Sequence, residues 1–318
     1  EHGGTGSAVR RTVFDDRLRQ AAVEAGAVVH QGVRVTGVER GDDDEVTAVL
    51  AGDDRVECRT LVVADGVRSP VGRLLGRTWH RDTVYAVAAR SYVGSARHDH
   101  PWIGSDLELR DEAGAIQPGY GWVFPLGDGE VNLGVGALAT SARPANVAVK
   151  ELLQHYARSV RGDWALAGEP RAVTSALLPM GGAVSGVAGR NWAAVGDAAA
   201  CVNPLNGEGI DYALEAGHAA AETIVQALAR PTAADRERVL LSYVDRMKAM
   251  HGGYFTLGAQ FAKLIGRPEI MRLATKYGLP RPTLMKFMLK LMANLPEEKG
   301  GGLDDRLVHL MTKVAPNA

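Results

Sequence analysis

Apolar positions recur at spacings of three and four from Thr12 onward, at Phe14, Leu18, Ala21, Ala22 and Ala25. That spacing predicts a helix that ends near Gly26, where a residue free to take a positive φ is wanted. Short β-rich runs at 27–30 and 33–39, an acidic turn at 41–44 and a strand over 46–50 predict a meander. Residues 59–64, Arg-Thr-Leu-Val-Val-Ala, read as a strand with both faces buried in a parallel sheet. It runs into Asp65-Gly66 and a short helix through Arg73 to Leu75. From about Thr83 strands at 85–93, 106–110, 120–124 and 130–136, divided by Gly, Asp and Pro turns, predict an antiparallel sheet. A helix from Pro144 through Val160 and a strand over 172–178 follow, then a turn at Pro179-Met-Gly-Gly182 suited to close approach of a ligand. Another helix opens at Ile210 and runs to about Ala229, before Pro231, and the remainder is helical.

Two stretches carry candidate chemistry. In residues 191–211, Asn-Trp-Ala-Ala-Val-Gly-Asp-Ala-Ala-Ala-Cys-Val-Asn-Pro-Leu-Asn-Gly-Glu-Gly-Ile-Asp, an apolar strand ends in Gly196-Asp197 and a glycine-bearing loop leads into a helix. The free N–H groups of such a helix start bind anions. Glycines at 207 and 209 admit a flat ring to the backbone, and Asp197 offers a carboxylate to a sugar hydroxyl or a water. A strand-to-helix turn that uses glycine only for its dihedrals is the plainer alternative. In residues 119–125, Tyr120, Trp122 and Phe124 fall two apart and share one face, with glycine and valine on the other. Such stripes are commonly sheet core, but the flanking glycines favour a flat ligand surface.

Composition narrows the partners. The 318 residues are 46% hydrophobic, enough for a sizeable core, and the net charge of −1 gives no field that would gather nucleic acid. Two distant cysteines, Cys58 and Cys201, suggest neither a zinc site nor a disulfide scaffold, and no metal is expected. That cysteine usage fits a reducing, cytoplasmic compartment best, and there is neither a spanning run nor a signal peptide. Membrane contact is then peripheral, and the apolar segment 284–292 is where it would occur. Lys286 and Lys290 there share one helix face, which suits a membrane interface, a buried helix or a dimerising one. The chain begins at Glu1, and residues 1–7 read as linker, so an N-terminal part is expected to precede them.

Asp65-Gly66 after one strand, Gly196-Asp197 after another, and Pro-x-x-Gly-x-Gly-Ile at a helix start resemble the FAD-dependent oxidoreductases of the geranylgeranyl reductase family. The resemblance covers nearly all of residues 7–230. Ala64-Asp-Gly-Val-Arg-Ser-Pro-Val-Gly-Arg73 looks like the family's second fingerprint, and Tyr120-x-Trp-x-Phe-Pro125 like its substrate-cavity motif. The wording of 178–189 and 196–210 is most similar to bacterial menaquinone reductases, which saturate an isoprene unit of the quinone tail. The fold implied is α/β, the FAD-binding fold of aromatic hydroxylases, with an antiparallel-sheet substrate domain and a helical C-terminus. Residues 1–80 and 181–230 would make the FAD-binding domain, 81–180 the substrate domain and 231–318 the helical region.

By the same resemblance Arg11, Val35, Asp65, Gly66, Asp197, Gly209 and Ile210 contact FAD, and Tyr120, Trp122 and Phe124 line the cavity of a polyprenyl quinone or prenyl lipid. The helix at Gly209-Ile210 would stabilise negative charge on the reduced flavin. From the residues alone, Arg11 reads as an exposed charge at a helix start, and Asp65-Gly66 as a pair that sets the shape of its turn. Cys201, in the flavin-facing loop, is a candidate proton donor, with plain packing as the alternative. The family's opening βαβ unit with G-x-G-x-x-G is not in this sequence, since no strand precedes Gly3-Gly4-x-Gly6. A chain without it is expected to hold FAD weakly by itself. The electron donor is not legible. Two rivals share the residues: an FAD-dependent monooxygenase or halogenase on an aromatic substrate, and a truncated, non-catalytic fragment.

Overall fold

A computed structural model describes residues 8–80, 82–139, 148–278, 280–292, 310, 311 and 315. In chain order the elements are α1 (Arg11–Glu24), β1 (Val35–Arg40), β2 (Val46–Ala51), β3 (Asp54–Glu57), β4 (Leu61–Val63), α2 (Pro70–Leu74), β5 (Thr78–Trp79) and β6 (Tyr85–Ser95). Then come β7 (Gly104–Asp106), β8 (Gly119–Pro125), β9 (Glu130–Ala139), α3 (Val149–Ser159), β10 (Leu166–Leu178), β11 (Val184–Ser185) and β12 (Trp192–Ala194). The rest is α4 (Ile210–Leu228), α5 (Ala233–Met247), α6 (Gly253–Ile265), α7 (Pro268–Leu273) and α8 (Pro282–Met292). A π-helical turn, Lys248–Gly252, joins α5 to α6. The chain divides into two units. One holds Glu1–Val33, Ala88–Ala137 and Val147–Ala176, the other Arg34–Val87, Leu138–Asn146 and Leu177–Ala318.

The first unit is built on the antiparallel sheet, in the order β10-β6-β9-β8-β7. Its core lies on one face only. Ala89 and Val93 of β6, Val123 of β8 and Val131, Leu133 and Val135 of β9 pack against Leu152, Leu153, Tyr156 and Ala157 of α3. The approach of α3 is close. A Cβ on Gly121 would stand 2.4 Å from Cζ of Tyr156, whose hydroxyl donates to Asp106 Oδ2 at 2.5 Å. The first helix groups with this unit rather than with the one that holds β1 to β4. Gly26 takes the expected positive φ, 97°, yet none of α1's residues is buried among the described residues.

In the second unit β4 and β12 run parallel, Leu61 opposite Trp192 and Val63 opposite Ala194, beside the sheet β1-β2-β3. Val46, Val63, Val71, Trp192 and Ala194 make the core there. The alanines of α4 at 216, 219, 220 and 227 form a thin, buried stripe, and Tyr243 of α5 donates its hydroxyl to Ala194 O at 2.9 Å.

Four expectations are corrected. Residues 27–30 form no strand, because Val28 and Val29 find no partner ladder and stand exposed. The strand expected over 59–64 is only Leu61–Val63, and Val62 is 44% exposed, so this parallel pair is buried on one face. At 106–110 the strand is earlier and shorter, with Arg110 reduced to a single bridge to Ile116. The lysines of 284–292 do not share an environment: Lys290 is buried while Lys286 is exposed. Phe287, Leu291 and Met292 pack in the core under α4, which favours the buried-helix reading of α8. The expected helix start at Pro144 lies outside the described residues, and α3 is seen from Val149.

Candidate active site

Because β4 and β12 are parallel, their C-terminal ends release the chain on one side, where ligands of open α/β sheets bind. Val195 N–H donates to Val63 O at 3.0 Å, which holds the two exits together. After β4, Gly66 turns with φ 76°, and Asp65 Oδ2 accepts from Val71 N–H at 2.8 Å. Asp65 therefore spans its own turn and ties down the first turn of α2. After β12, Gly196 takes φ 57° and opens a 3-10 turn, Gly196–Ala199, which Cys201 N–H closes by donating to Gly196 O at 3.0 Å.

One side chain joins these two exits, and nothing in the sequence pattern marks it. Arg77 is buried, and its Nε donates to Ala198 O at 2.5 Å while Nη2 donates to Val67 O at 3.3 Å. Burial lowers its pKa from the ordinary arginine value, with the Asp65 charge opposing that shift. An arginine in a generic segment gives no periodic signal. Only the pairing of β4 with β12 reveals that it has two turns to bridge.

The loop into α4 is drawn tight by its own backbone. Asn203 N–H donates to Glu208 O at 2.7 Å, Gly207 N–H donates to Asn203 O at 2.9 Å, and Gly207 takes φ 75°. Asn203 is fully buried, and its role is likewise invisible in the sequence. Its Oδ1 accepts from Leu205 N–H at 2.8 Å, and its Nδ2 reaches Tyr254 Oη at 3.2 Å and Met292 O at 3.3 Å, so the loop is moored to α6 and the end of α8. Gly209 caps α4 without a side chain. A Cβ there would stand 3.1 Å from Val202 Cγ2 and 3.4 Å from Asp197 Oδ1. Asp197 and the start of α4 are thus brought side by side, with Val202 packed against the glycine that opens the helix. Such an entrance accepts an anion or the electron-rich edge of a ring. Glu208 beside it is exposed, and partial desolvation by the loop and then the Asp211 charge raise its pKa above the ordinary carboxylate value.

Other expected positions are scattered. Val35 starts β1 and packs at the edge of the core beneath the two exits, in the same unit. Arg11 lies in the other unit, exposed, paired with Asp15 at 3.0 Å. Cys201 is buried among Val195, Leu205 and Tyr212, and burial, with the Asp197 charge, pushes its thiol up to about 12.

The three rings stand on β8 in the sheet unit, half-buried, on the face opposite the core. Ring centroids are 5.8 Å apart for Tyr120 and Trp122 and 6.2 Å for Trp122 and Phe124. Trp122 lies down over β9: its Nε1 donates to Asn132 Oδ1 at 2.9 Å, and a Cβ on Gly134 would stand 2.1 Å from its Cζ2. The glycines of β9 give the ring somewhere to lie.

Known proteins are similar to this chain over most of its length. It is 46% identical over 314 residues to menaquinone reductase of Mycobacterium tuberculosis, covering 95% of this chain and 74% of that protein. It is 32% identical over 280 residues to digeranylgeranylglycerophospholipid reductase 1 of Methanopyrus kandleri, covering 83% and 69%. A family model described as lycopene cyclase protein matches residues 3–297. The chain belongs to that family, as a geranylgeranyl reductase-type flavoprotein. Its fold agrees with a solved geranylgeranyl bacteriochlorophyll reductase-like protein of Thermoplasma acidophilum, at TM-score 0.70 and 18% identity over 98% of this chain and 75% of that one. As a member of this group it is an FAD-dependent oxidoreductase. The residues fit that cofactor: a helix entrance that begins at a glycine, a carboxylate beside it, and two glycine turns at parallel strand ends. No helix among the described residues is long and apolar enough to cross a membrane.

Proposed function

We propose that the protein saturates an isoprene double bond in the polyprenyl tail of menaquinone or a related prenyl lipid. The observation that carries this reading is the ring wall of β8, an apolar surface kept out of the sheet's own core in a chain that is similar over 95% of its length to a menaquinone reductase. A long hydrocarbon needs such a wall, because its affinity comes from apolar area removed from water.

When bound and reduced, FAD supplies the hydride for one alkene carbon; that chemistry is the cofactor's. Asp65, Gly66, Asp197, Gly209 and Ile210 would hold it, with Val35 through its backbone. The entrance of α4 would stabilise negative charge on the flavin edge. The second alkene carbon takes a proton. Of Cys201 and Glu208, Glu208 is the better donor, because it stands exposed beside the helix entrance and its raised pKa keeps the proton on the carboxyl to higher pH than usual. Cys201, sealed in the core with its thiol at about 12, fits packing better than proton transfer.

The test is an anaerobic incubation of the protein with reduced FAD and a prenylated naphthoquinone, read by mass spectrometry. A gain of two hydrogens in the tail supports the reading, with Glu208→Gln slowing turnover about 100-fold, as for loss of a general acid, and Cys201→Ser leaving it near wild type. Oxygen uptake dependent on an aromatic substrate, with the tail unchanged, would replace it with the monooxygenase reading.

A further inference from the structure

A polyprenyl tail repeats, and an apolar wall offers it the same contacts after a slip of one five-carbon unit. Tyr120, Trp122 and Phe124 can therefore hold a tail without deciding which double bond is presented. Register has to come from the end of the molecule that does not repeat, its polar head.

A polar group suited to that end lies on the same face of the sheet. Ala89 and Val93 of β6 enter the core with Val123, so Arg90 and Tyr92 point to the opposite face, the one carrying Trp122. Strand β9 separates β6 from β8, which sets Arg90 and Trp122 two strands apart, about 10 Å at ordinary strand spacing. Between them β9 presents Gly134 and Gly136, over which the Trp122 ring lies, with Asn132 on the same face bonded to that ring.

The charges around Tyr92 do not balance. Three guanidinium groups surround its ring, Arg10 at 5.1 Å, Arg90 at 5.4 Å and Arg171 at 5.8 Å from the centroid. Two carboxylates answer them. Arg10 binds Asp128 at 2.6 Å and Glu130 at 2.5 Å, and Arg171 also binds Glu130. Among the described residues Arg90 has no carboxylate; it donates from Nη1 to Tyr92 Oη at 2.9 Å, which leaves most of its five donors for another acceptor. Its hydrogen bond to Tyr92 Oη and its place over the Tyr92 ring hold it on the face that carries the ring wall.

We infer that Arg90 anchors the oxygen-bearing head of the prenyl substrate, a quinone carbonyl or a phosphate, and so fixes which isoprene unit is reduced. This rests on the proposed prenyl-reductase reading and adds the device that sets its register. A guanidinium suits both head chemistries, since its planar fork donates two parallel hydrogen bonds.

Binding and turnover test it separately. Saturable quenching of tryptophan fluorescence is followed with a tail-less methylnaphthoquinone and with a short prenyl phosphate. One of the two should bind the wild type, Arg90→Leu should weaken that binding about tenfold, and Arg90→Lys should recover part of it. Equal binding by wild type and Arg90→Leu, or no binding of either ligand, overturns the anchor. In turnover of a prenylated quinone, the wild type should give one positional isomer of the reduced tail and Arg90→Leu a mixture, resolved by fragmentation. A single unchanged isomer from a folded Arg90→Leu overturns the inference. Should that variant not fold, the wild type is given a head-less polyprenyl hydrocarbon, which should yield a mixture; one isomer there overturns it as well. An absence of any tail reduction by the wild type defeats the proposed function instead, while the binding measurements still judge Arg90.

Discussion

At the residue scale, two side chains near the loop that leads into α4 have consequences that can be measured. Arg77 gives a charged hydrogen bond to each of the two turns that leave β4 and β12, and it is buried. Arg77→Leu leaves Ala198 O and Val67 O without that donor and should cost about 1.5–3 kcal/mol, the range for hydrogen bonds from a charged group. Arg77→Lys, able to reach one carbonyl, should lose less; denaturant unfolding at constant m-value checks both. Glu208 makes stability depend on pH. Its carboxyl binds a proton more tightly in the folded chain than in the unfolded one, so the folded state is penalised as pH rises above the unfolded value of about 4.3. Glu208→Gln, which keeps the shape, should match wild-type stability below that value and exceed it at neutral pH. Thermal midpoints across pH 4–8 that stay parallel for the two proteins would contradict this. Asp65 was legible as a residue that sets its turn, from its place after a strand and before Arg-Ser-Pro. Arg77 was not, because its value comes from two carbonyls that are distant in sequence.

At the element scale, the motifs were legible where a local rule stood behind them and less so where partners decide. The α4 start at Ile210 and its run to Leu228 follow from Gly207, Gly209, the alanine stripe and Pro231. The alternation of β8 put the three rings on one face, but alternation cannot say which face is core. Tyr156 decides that, by packing on Gly121 from α3, an element further along the chain. Likewise 284–292 read equally as a membrane or a buried segment until Asn203 and Tyr254 were seen to reach its last carbonyls. The hairpin strand β3, Asp54–Glu57, is too short and polar to stand out and exists only because β2 pairs with it. The same dependence on partners makes Gly134 a sensitive position. A methyl group there must displace the Trp122 ring, so Gly134→Ala should cost about 1–3 kcal/mol in stability by overpacking. It should also raise KM for a prenylated substrate more than it lowers kcat, if, as proposed, the ring holds the tail rather than the reacting atoms. An unchanged KM would mean that the wall is not where the tail lies.

At the scale of the whole molecule, each unit is assembled from separate stretches of chain, the sheet unit from three of them. Sequence order therefore misleads about membership: α1 comes first and was expected with the nucleotide-binding part, yet it groups with the sheet. The candidate cofactor residues divide in the same way, with Val35, Asp65, Gly66, Asp197, Gly209 and Ile210 in one unit and Arg11 in the other. FAD should consequently leave an uneven footprint. A ligand that binds only the folded chain stabilises it by RT ln(1 + [L]/Kd), about 2.7 kcal/mol at a hundredfold excess over Kd. Local protection falls where its contacts lie. Hydrogen exchange with saturating FAD should slow most in the turns after β4 and β12 and in the first turn of α4. The buried amides of β8 and β9, already protected by the core under α3, should change little. Protection concentrated in the sheet core, with the α4 entrance unaffected, would place the cofactor elsewhere and remove the basis for assigning Asp197 and Gly209 to it.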